Sequence, residues 1–179
     1  NCSYSEALEI MGRYENPSHF SNIKSREILY QKSIQIPKLY QRLTWPNIPS
    51  IVSKFLKRRG FNPEEIVRGK ELYYGGHVGN FKFRLILPVT YHRKLVTYIG
   101  RDLAEKSSSP YRNLEDEASV IPPKSTLYGF DEASPGSNIV IVEGPIDQWK
   151  LGPGDVATLG AAWTNEQVSK IKELNPNKV

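Results

Sequence analysis

The run Ile139-Val140-Ile141-Val142 restricts this chain more than any other stretch, because four β-branched residues in succession offer no polar face to solvent. Such side chains lose χ1 freedom in a helix and pack well on a pleated surface, so the run predicts a buried strand. It ends abruptly at Glu143-Gly144-Pro145. Pro145 suits the first position of a helix, and "PIDQWKLG" predicts a short one with Ile146 facing the core. "DVATLGAA" then predicts a second strand. "TNEQVSKIKEL" predicts a second helix, capped by Thr164 or Asn165 with Gln167 close to the capping-box position. Strand, helix, strand, helix predicts a parallel α/β unit, since parallel neighbours need a crossover connection.

Ligands of parallel sheets gather at the C-terminal ends of the strands. Glu143 falls at such an end, and Gly144 lets a substrate or another backbone approach closely. Asp147 falls in the first turn of the following helix, where an acid also interacts favourably with the helix dipole, by about 0.3–1 kcal/mol. Glu143 is therefore a candidate site carboxylate and Asp147 its companion, with the dipole role as the competing reading of Asp147.

The upstream chain has a different character. "PSIVSKFLKRRG" predicts a helix from Pro49 and Ser50 to about Arg59, ended by Gly60. "NPEEI" predicts a second, with Asn62 as its cap, Pro63 at the first position and Glu64 and Glu65 in the first turn. The two form a helical hairpin with the basic run Lys57-Arg58-Arg59 at the end of its first arm. "NFKFRLILPVTY" and "KLVTYIGRDL" predict two strands joined as a hairpin at His92-Arg93-Lys94. "AEKSSSPYRNLEDEAS" predicts a polar loop and "KSTLYGFDEA" a short helical return. "YSEALEIMGRY", Tyr4–Tyr14, predicts an amphipathic helix, and Glu15 to about Thr44 a turn-rich connector.

Across 179 residues, 39% hydrophobic and 11% aromatic content supports a real core and argues against disorder. No apolar run reaches the roughly 20 residues that span a bilayer, and no charged-then-apolar leader opens the chain. With a single cysteine, Cys2, an internal disulfide framework is excluded, so a soluble, reducing and cytoplasmic setting is expected. Charge is uneven. Residues 1–90 carry 14 Lys and Arg against 7 Asp and Glu, a net +7, whereas residues 91–179 carry 10 against 12, a net −2. A basic front and an acidic rear suit a protein holding a polyanion with one part and metal ions with the other, though solubilising charge has the same look.

The segment "IVIVEGPIDQWKLGPGDVATLGAAWTNEQVSKIKEL" resembles the Toprim domain shared by primases, topoisomerases and some nucleases. Upstream, "FRLILPVTYHRKLVTYIGRDL", "SPYRNL" and "PPKSTLYGFDEA" are similar, in order and spacing, to the part of DnaG-type DNA primases that precedes Toprim. The matching positions are Arg84, Pro88, Gly100, Arg101, Pro110, Tyr111, Asn113, Lys124, Leu127, Tyr128 and Gly129. "RGFNPEEI" resembles the family's lead-in, and "VEGPID" looks most like primases of tailed phages. "NCSYSEAL" resembles the tail of a primase zinc ribbon, with Cys2 as its last ligand. One cysteine cannot close a tetrahedral site, and His19, His77 and His92 have no ligand spacing.

The resemblance implies an α+β fold in three parts: a zinc-ribbon tail, helix and linker over 1–48, a basic N-terminal subdomain of the primase core over 49–136, and the first half of a Toprim domain over 137–179. It implies synthesis of short RNA primers on single-stranded DNA, with ribonucleoside triphosphates as substrates, Mg or Mn as cofactor, Zn in the intact parent and a replicative helicase as partner. Glu143 and Asp147 are the implied catalytic carboxylates, Glu143 at an incomplete Mg site. Arg84, Arg101, Lys106, Tyr111, Arg112, Asn113 and Lys124 are the implied nucleic-acid and nucleotide contacts, with Tyr98 and Tyr111 available for stacking and Tyr128 assigned to the core. The family's later aspartates would follow Val179, so an incomplete fragment is expected. Two alternatives stand beside this: another Toprim enzyme, either topoisomerase or nuclease, and a non-catalytic single-strand-binding or replisome-docking module.

Overall fold

The computed structural model describes residues 32–179; the expected Tyr4–Tyr14 helix, Cys2 and His19 lie outside the described residues. The described elements are β1 (Gln41–Arg42), α1 (Ser50–Arg58), α2 (Pro63–Gly69), β2 (Tyr73–Tyr74), β3 (Arg84–Tyr91), β4 (Lys94–Asp102), β5 (Tyr111–Asn113), β6 (Ile141–Val142), α3 (Pro145–Leu151), β7 (Val156–Ala157) and α4 (Asn165–Leu174). Strands β1 to β5 form one sheet in chain order, and β6 pairs with β7 in another. Among the described residues, no helix is long and apolar enough to cross a membrane.

Two compact units divide these residues. One, the basic unit, comprises Gln35–Pro88 and Tyr98–Glu115; the other comprises Val89–Thr97 and Asp116–Val179, together with the residues up to Ile34. The β3–β4 hairpin runs through both. His92 and Arg93 make its two-residue turn with φ of 51° and 61°, the paired positive values that match the twist of the flanking strands.

In the basic unit, α1 buries Val52, Phe55 and Leu56, the three- and four-residue spacing of one helical face. α2 starts as its sequence predicts. Asn62 accepts a hydrogen bond from the Glu64 amide at 3.0 Å, and Pro63 takes the first position, where its missing N–H costs nothing. Phe81 and Tyr98 pack with Ile86 in a core cluster closed by Ile36, Tyr40, Tyr73 and Leu114. Tyr98 is 5% exposed, and burial, with help from Tyr40, pushes its hydroxyl up to about 12. The stacking role expected of Tyr98 is thus corrected: its ring belongs to the core of the sheet.

In the second unit, β6 and β7 are parallel, with Ile141 opposite Val156 and Val142 opposite Ala157, and α3 connects them as the sequence predicts. Ile146 is buried, as expected. The Ile139–Val142 run is less enclosed than its composition suggests, since Val140 stays 50% exposed. The helical return expected over Lys124–Ala133 is a different structure. Two 3-10 turns, Pro123–Ser125 and Phe130–Glu132, flank Tyr128, which bridges antiparallel to Ala157. The first turn stops where Thr126 becomes extended, at φ −137° and ψ 173°, and Gly129 breaks the run with φ of 82°. Tyr128 is buried as expected, and its hydroxyl accepts from the Trp149 indole at 2.8 Å. Gln167 is fully buried, its amide donating to the carbonyls of Thr126 at 2.9 Å and Thr158 at 2.6 Å. It fastens the start of α4 to β7 and to the Tyr128 segment.

A side chain on Gly129 would meet the Asp155 carbonyl at 2.7 Å, in a backbone conformation that already disfavours any Cβ. Gly129→Ala should therefore destabilise the protein by about 2–3 kcal/mol, read as a lowered urea midpoint with unchanged m-value.

Candidate functional site

The basic unit carries 13 Lys and Arg against 6 Asp and Glu, a net +7 counted over Gln35–Pro88 and Tyr98–Glu115. Six of the residues singled out from sequence lie here: Arg84, Arg101, Lys106, Tyr111, Arg112 and Asn113. Strands place most of them. Arg84 opens β3, Arg101 sits near the end of β4, and Tyr111, Arg112 and Asn113 are β5, pairing with Arg101, Gly100 and Ile99 in that order.

Arg84 works as a clasp. Its guanidinium donates to the Gly100 carbonyl at 3.1 Å, to Pro110 at 3.3 Å and to Ser109 at 3.4 Å. Burial lowers its pKa and the Asp102 carboxylate opposes that shift. Gly100 permits this packing, since a Cβ there would stand 2.5 Å from the Phe81 ring and 3.0 Å from the Arg84 side chain.

Arg101 is 8% exposed. Its guanidinium carbon lies 5.0 Å from the centre of the Tyr111 ring and 5.9 Å from that of Phe55, and it donates to Glu105 at 3.3 Å. Glu105 also accepts from Arg58 at 2.7 Å and from Arg59. Three guanidinium groups thus share one carboxylate above one phenyl ring, with Arg58 and Arg59 at 5.9 and 5.8 Å from the Phe55 centre. Partial burial pushes the Glu105 pKa up, but Arg59 and Arg58 outweigh it and hold the carboxyl below its usual range.

The loop that follows β4 winds around Asp102, a buried carboxylate accepting from the amides of Ala104 at 3.1 Å and of Lys106 and Ser107 at 2.9 Å. Desolvation raises the Asp102 pKa; the three amides and Arg84 overcome it and leave the net shift downward. Asp102 thereby presents the Lys106 side chain, which is exposed, as are Arg112 and Asn113 on β5. The Lys57-Arg58-Arg59 run was visible in sequence as a basic cluster. Asp102, Glu105 and Phe55 gave no local signal, because the partners of Glu105 on α1 lie 46 and 47 residues away.

The remaining candidates belong to the second unit. Glu143 follows β6 directly and is exposed; Gly144 and Pro145 carry the chain into α3, and Asp147 is exposed in its first turn. Lys124 is exposed on the Pro123–Ser125 turn. Among the described residues, no three His, Cys, Asp or Glu side chains come together to hold a metal ion. Mg²⁺ keeps several waters and takes one or two carboxylates together with substrate phosphates; Glu143 and Asp147 are the exposed carboxylates at this strand end.

No family model matches the chain, and no curated protein matches it. Solved structures do. The DnaG primase catalytic domain bound to ssDNA is similar over 87% of this chain and 61% of its own, with a TM-score of 0.57 and 20% identity. The Aquifex aeolicus primase, comprising zinc-binding and RNA polymerase domains, is similar over 97% of this chain and 52% of its own, with a TM-score of 0.58 and 22% identity. The chain has the mixed helix-and-strand fold of primase catalytic domains and spans between half and two thirds of the length of these two structures.

Because Asp102 and Glu105 both titrate below their ordinary range in the folded chain, the stability they confer is present above about pH 4 and is lost as pH falls through their folded pKa values. Asp102→Asn should lower stability at neutral pH and flatten the acid limb of a stability–pH profile measured by urea unfolding; Glu105→Gln should do the same more weakly, since its carboxylate is partly exposed.

Proposed function

We propose that this chain belongs to the catalytic core of a DNA primase, in which the basic unit holds single-stranded DNA template and the second unit begins the Toprim part that handles nucleotides. Primer synthesis joins ribonucleotides by attack of a 3′-hydroxyl on an α-phosphate, so the protein must orient two polyanions and balance charge at the reacting phosphate. The observation that carries this reading is the separation of charge by unit. A +7 surplus gathers in one compact body, while an exposed carboxylate stands at the carboxyl end of a parallel strand in the other.

Within the basic unit, the exposed cations Lys106, Arg112 and Arg58 are the phosphate contacts, and Asn113 stands beside them. Arg84 and Arg101 act one step back: Arg84, half-buried against backbone carbonyls, and Arg101, buried against Glu105, fix the loop and strand that present the exposed groups. Phosphate contacts of this kind supply affinity without sequence information. In the second unit, Glu143 and Asp147 are the side chains that would hold Mg²⁺, which when bound neutralises charge on a triphosphate. Lys124 meets the phosphates of an incoming ribonucleotide. One of the similar primase domains was solved with ssDNA bound, which supports the template role. A helicase partner and a zinc site using Cys2 complete the proposal for the parent protein.

Fluorescence anisotropy with labelled single-stranded DNA across a salt series tests it. Binding should weaken steeply with salt, and a Lys106→Ala/Arg112→Ala variant should flatten the slope of log K against log[salt] by about 1.4, roughly 0.7 for each phosphate contact removed. A folded wild-type protein that binds no DNA at low salt would overturn the template role.

A further inference from the structure

Trp163 is the largest apolar side chain that the described part of the second unit leaves to solvent, 48% exposed. It sits in the loop joining β7 to α4. That loop holds two unusual backbone conformations in succession, Leu159 at φ 61° and Gly160 at φ 153°. A left-handed leucine persists only where its surroundings over-determine it. Here the Thr158 amide donates to the Val142 carbonyl at 3.0 Å, the Thr158 hydroxyl donates to the Gly160 carbonyl at 2.7 Å, and the Thr164 hydroxyl donates to the Lys124 carbonyl at 2.7 Å. These bonds hold the loop to a strained path that starts at the carboxyl end of β7.

The path brings different chemistries to one strand edge. The Lys124 ammonium lies against Gly160, so close that a Cβ on that glycine would stand 2.0 Å from Nζ. Glu143 follows Val142, the partner of Ala157 in the parallel pair, so it stands beside the start of the same loop. An indole by itself suits any flat apolar surface, and an ammonium by itself suits any anion. The Thr164 hydroxyl bond to the Lys124 carbonyl ties the turn that carries the ammonium to the loop that carries the indole, and together they suit a ligand that is a flat π-system at one end and an anion at the other.

We propose that Trp163 is the platform on which the base of a nucleoside triphosphate stacks while Lys124 binds its phosphates. The inference rests on the reading of the second unit as the nucleotide-handling part and adds a residue which that reading does not use. Stacking on an aromatic face tolerates every base, so this platform gains affinity for nucleotides without choosing among them. That is the property a template-directed reaction requires of its nucleotide site. Trp163 is a positioning residue in this scheme, since it touches the base and not the reacting phosphate.

Isothermal titration of ATP, CTP and inorganic tripolyphosphate separates the two contacts. Trp163→Ala should weaken both nucleotides about tenfold and leave tripolyphosphate unchanged, whereas Trp163→Phe should restore most of the nucleotide affinity. Lys124→Ala should weaken all three ligands. Circular dichroism confirms that each variant is folded. Equal loss of nucleotide and tripolyphosphate in Trp163→Ala, no loss at all, or a wild-type protein that binds neither nucleotide would overturn the proposal. The DNA titration is independent: failure there with nucleotide stacking intact removes the template role and leaves Trp163 in place.

Discussion

One carboxylate, Glu105, draws three arginines of the basic unit together. Arg58, Arg59 and Arg101 come from a helix end and a strand end, and without a shared anion their guanidinium groups would repel one another over the Phe55 ring. Each pair alone is worth little, because the Arg58 and Glu105 side chains remain 50% and 25% exposed. Together they form a network in which every arginine helps to hold the carboxylate that the others need. The end of α1 is also the favourable end of a helix for cations, which the helix dipole attracts. One negative charge against three positive ones still leaves a surplus of positive charge at this end of the unit.

Local sequence signals predicted the local structure well. Asn62, Pro63 and Glu64 specify the start of α2 whatever surrounds it, and "NFKFRLILPVTY", alternating and then continuously apolar, predicts the β3 strand from its own residues. The parallel β6–α3–β7–α4 order follows from a β-branched run, a proline and two capping residues. Long-range partners decided the rest. Nothing in "DLAEKSSS" says that Asp102 gathers three amides or that Glu105 answers to a helix far back in the chain. Nor does a tyrosine in "VTYIG" announce whether its ring meets solvent or the core; Phe81 and Tyr40, which settle that for Tyr98, lie 17 and 58 residues earlier. The expected return over Lys124–Ala133 had the composition of a helix, yet the pairing of Tyr128 with Ala157 and the left-handed Gly129 weighed more than composition.

Matching residue types to a family pattern does not assign their tasks. Arg84, Arg101 and Lys124 were read from sequence as one basic series. The fold gives Arg84 and Arg101 backbone carbonyls, a carboxylate and aromatic faces to satisfy, while Lys124 stands on an exposed turn beside the β7–α4 loop. A guanidinium whose hydrogen bonds are taken up by backbone carbonyls and an exposed ammonium are under different physical demands, although a motif records both simply as cations. Lysine replacing Arg101 would lose the guanidinium fork that reaches Glu105 while lying over the Tyr111 ring, whereas arginine replacing Lys124 would keep the charge.

The hairpin of β3 and β4 has a further consequence for how this chain can be divided and how it can change. Each strand begins in one unit and ends in the other, so the basic unit consists of two stretches of sequence with nine residues of its neighbour between them. No single cut in the gene excises either body whole. Recombination that exchanges contiguous segments would break a strand in mid-ladder, so the two units are inherited together, and an insertion tolerated by one must leave the strands of the hairpin in register.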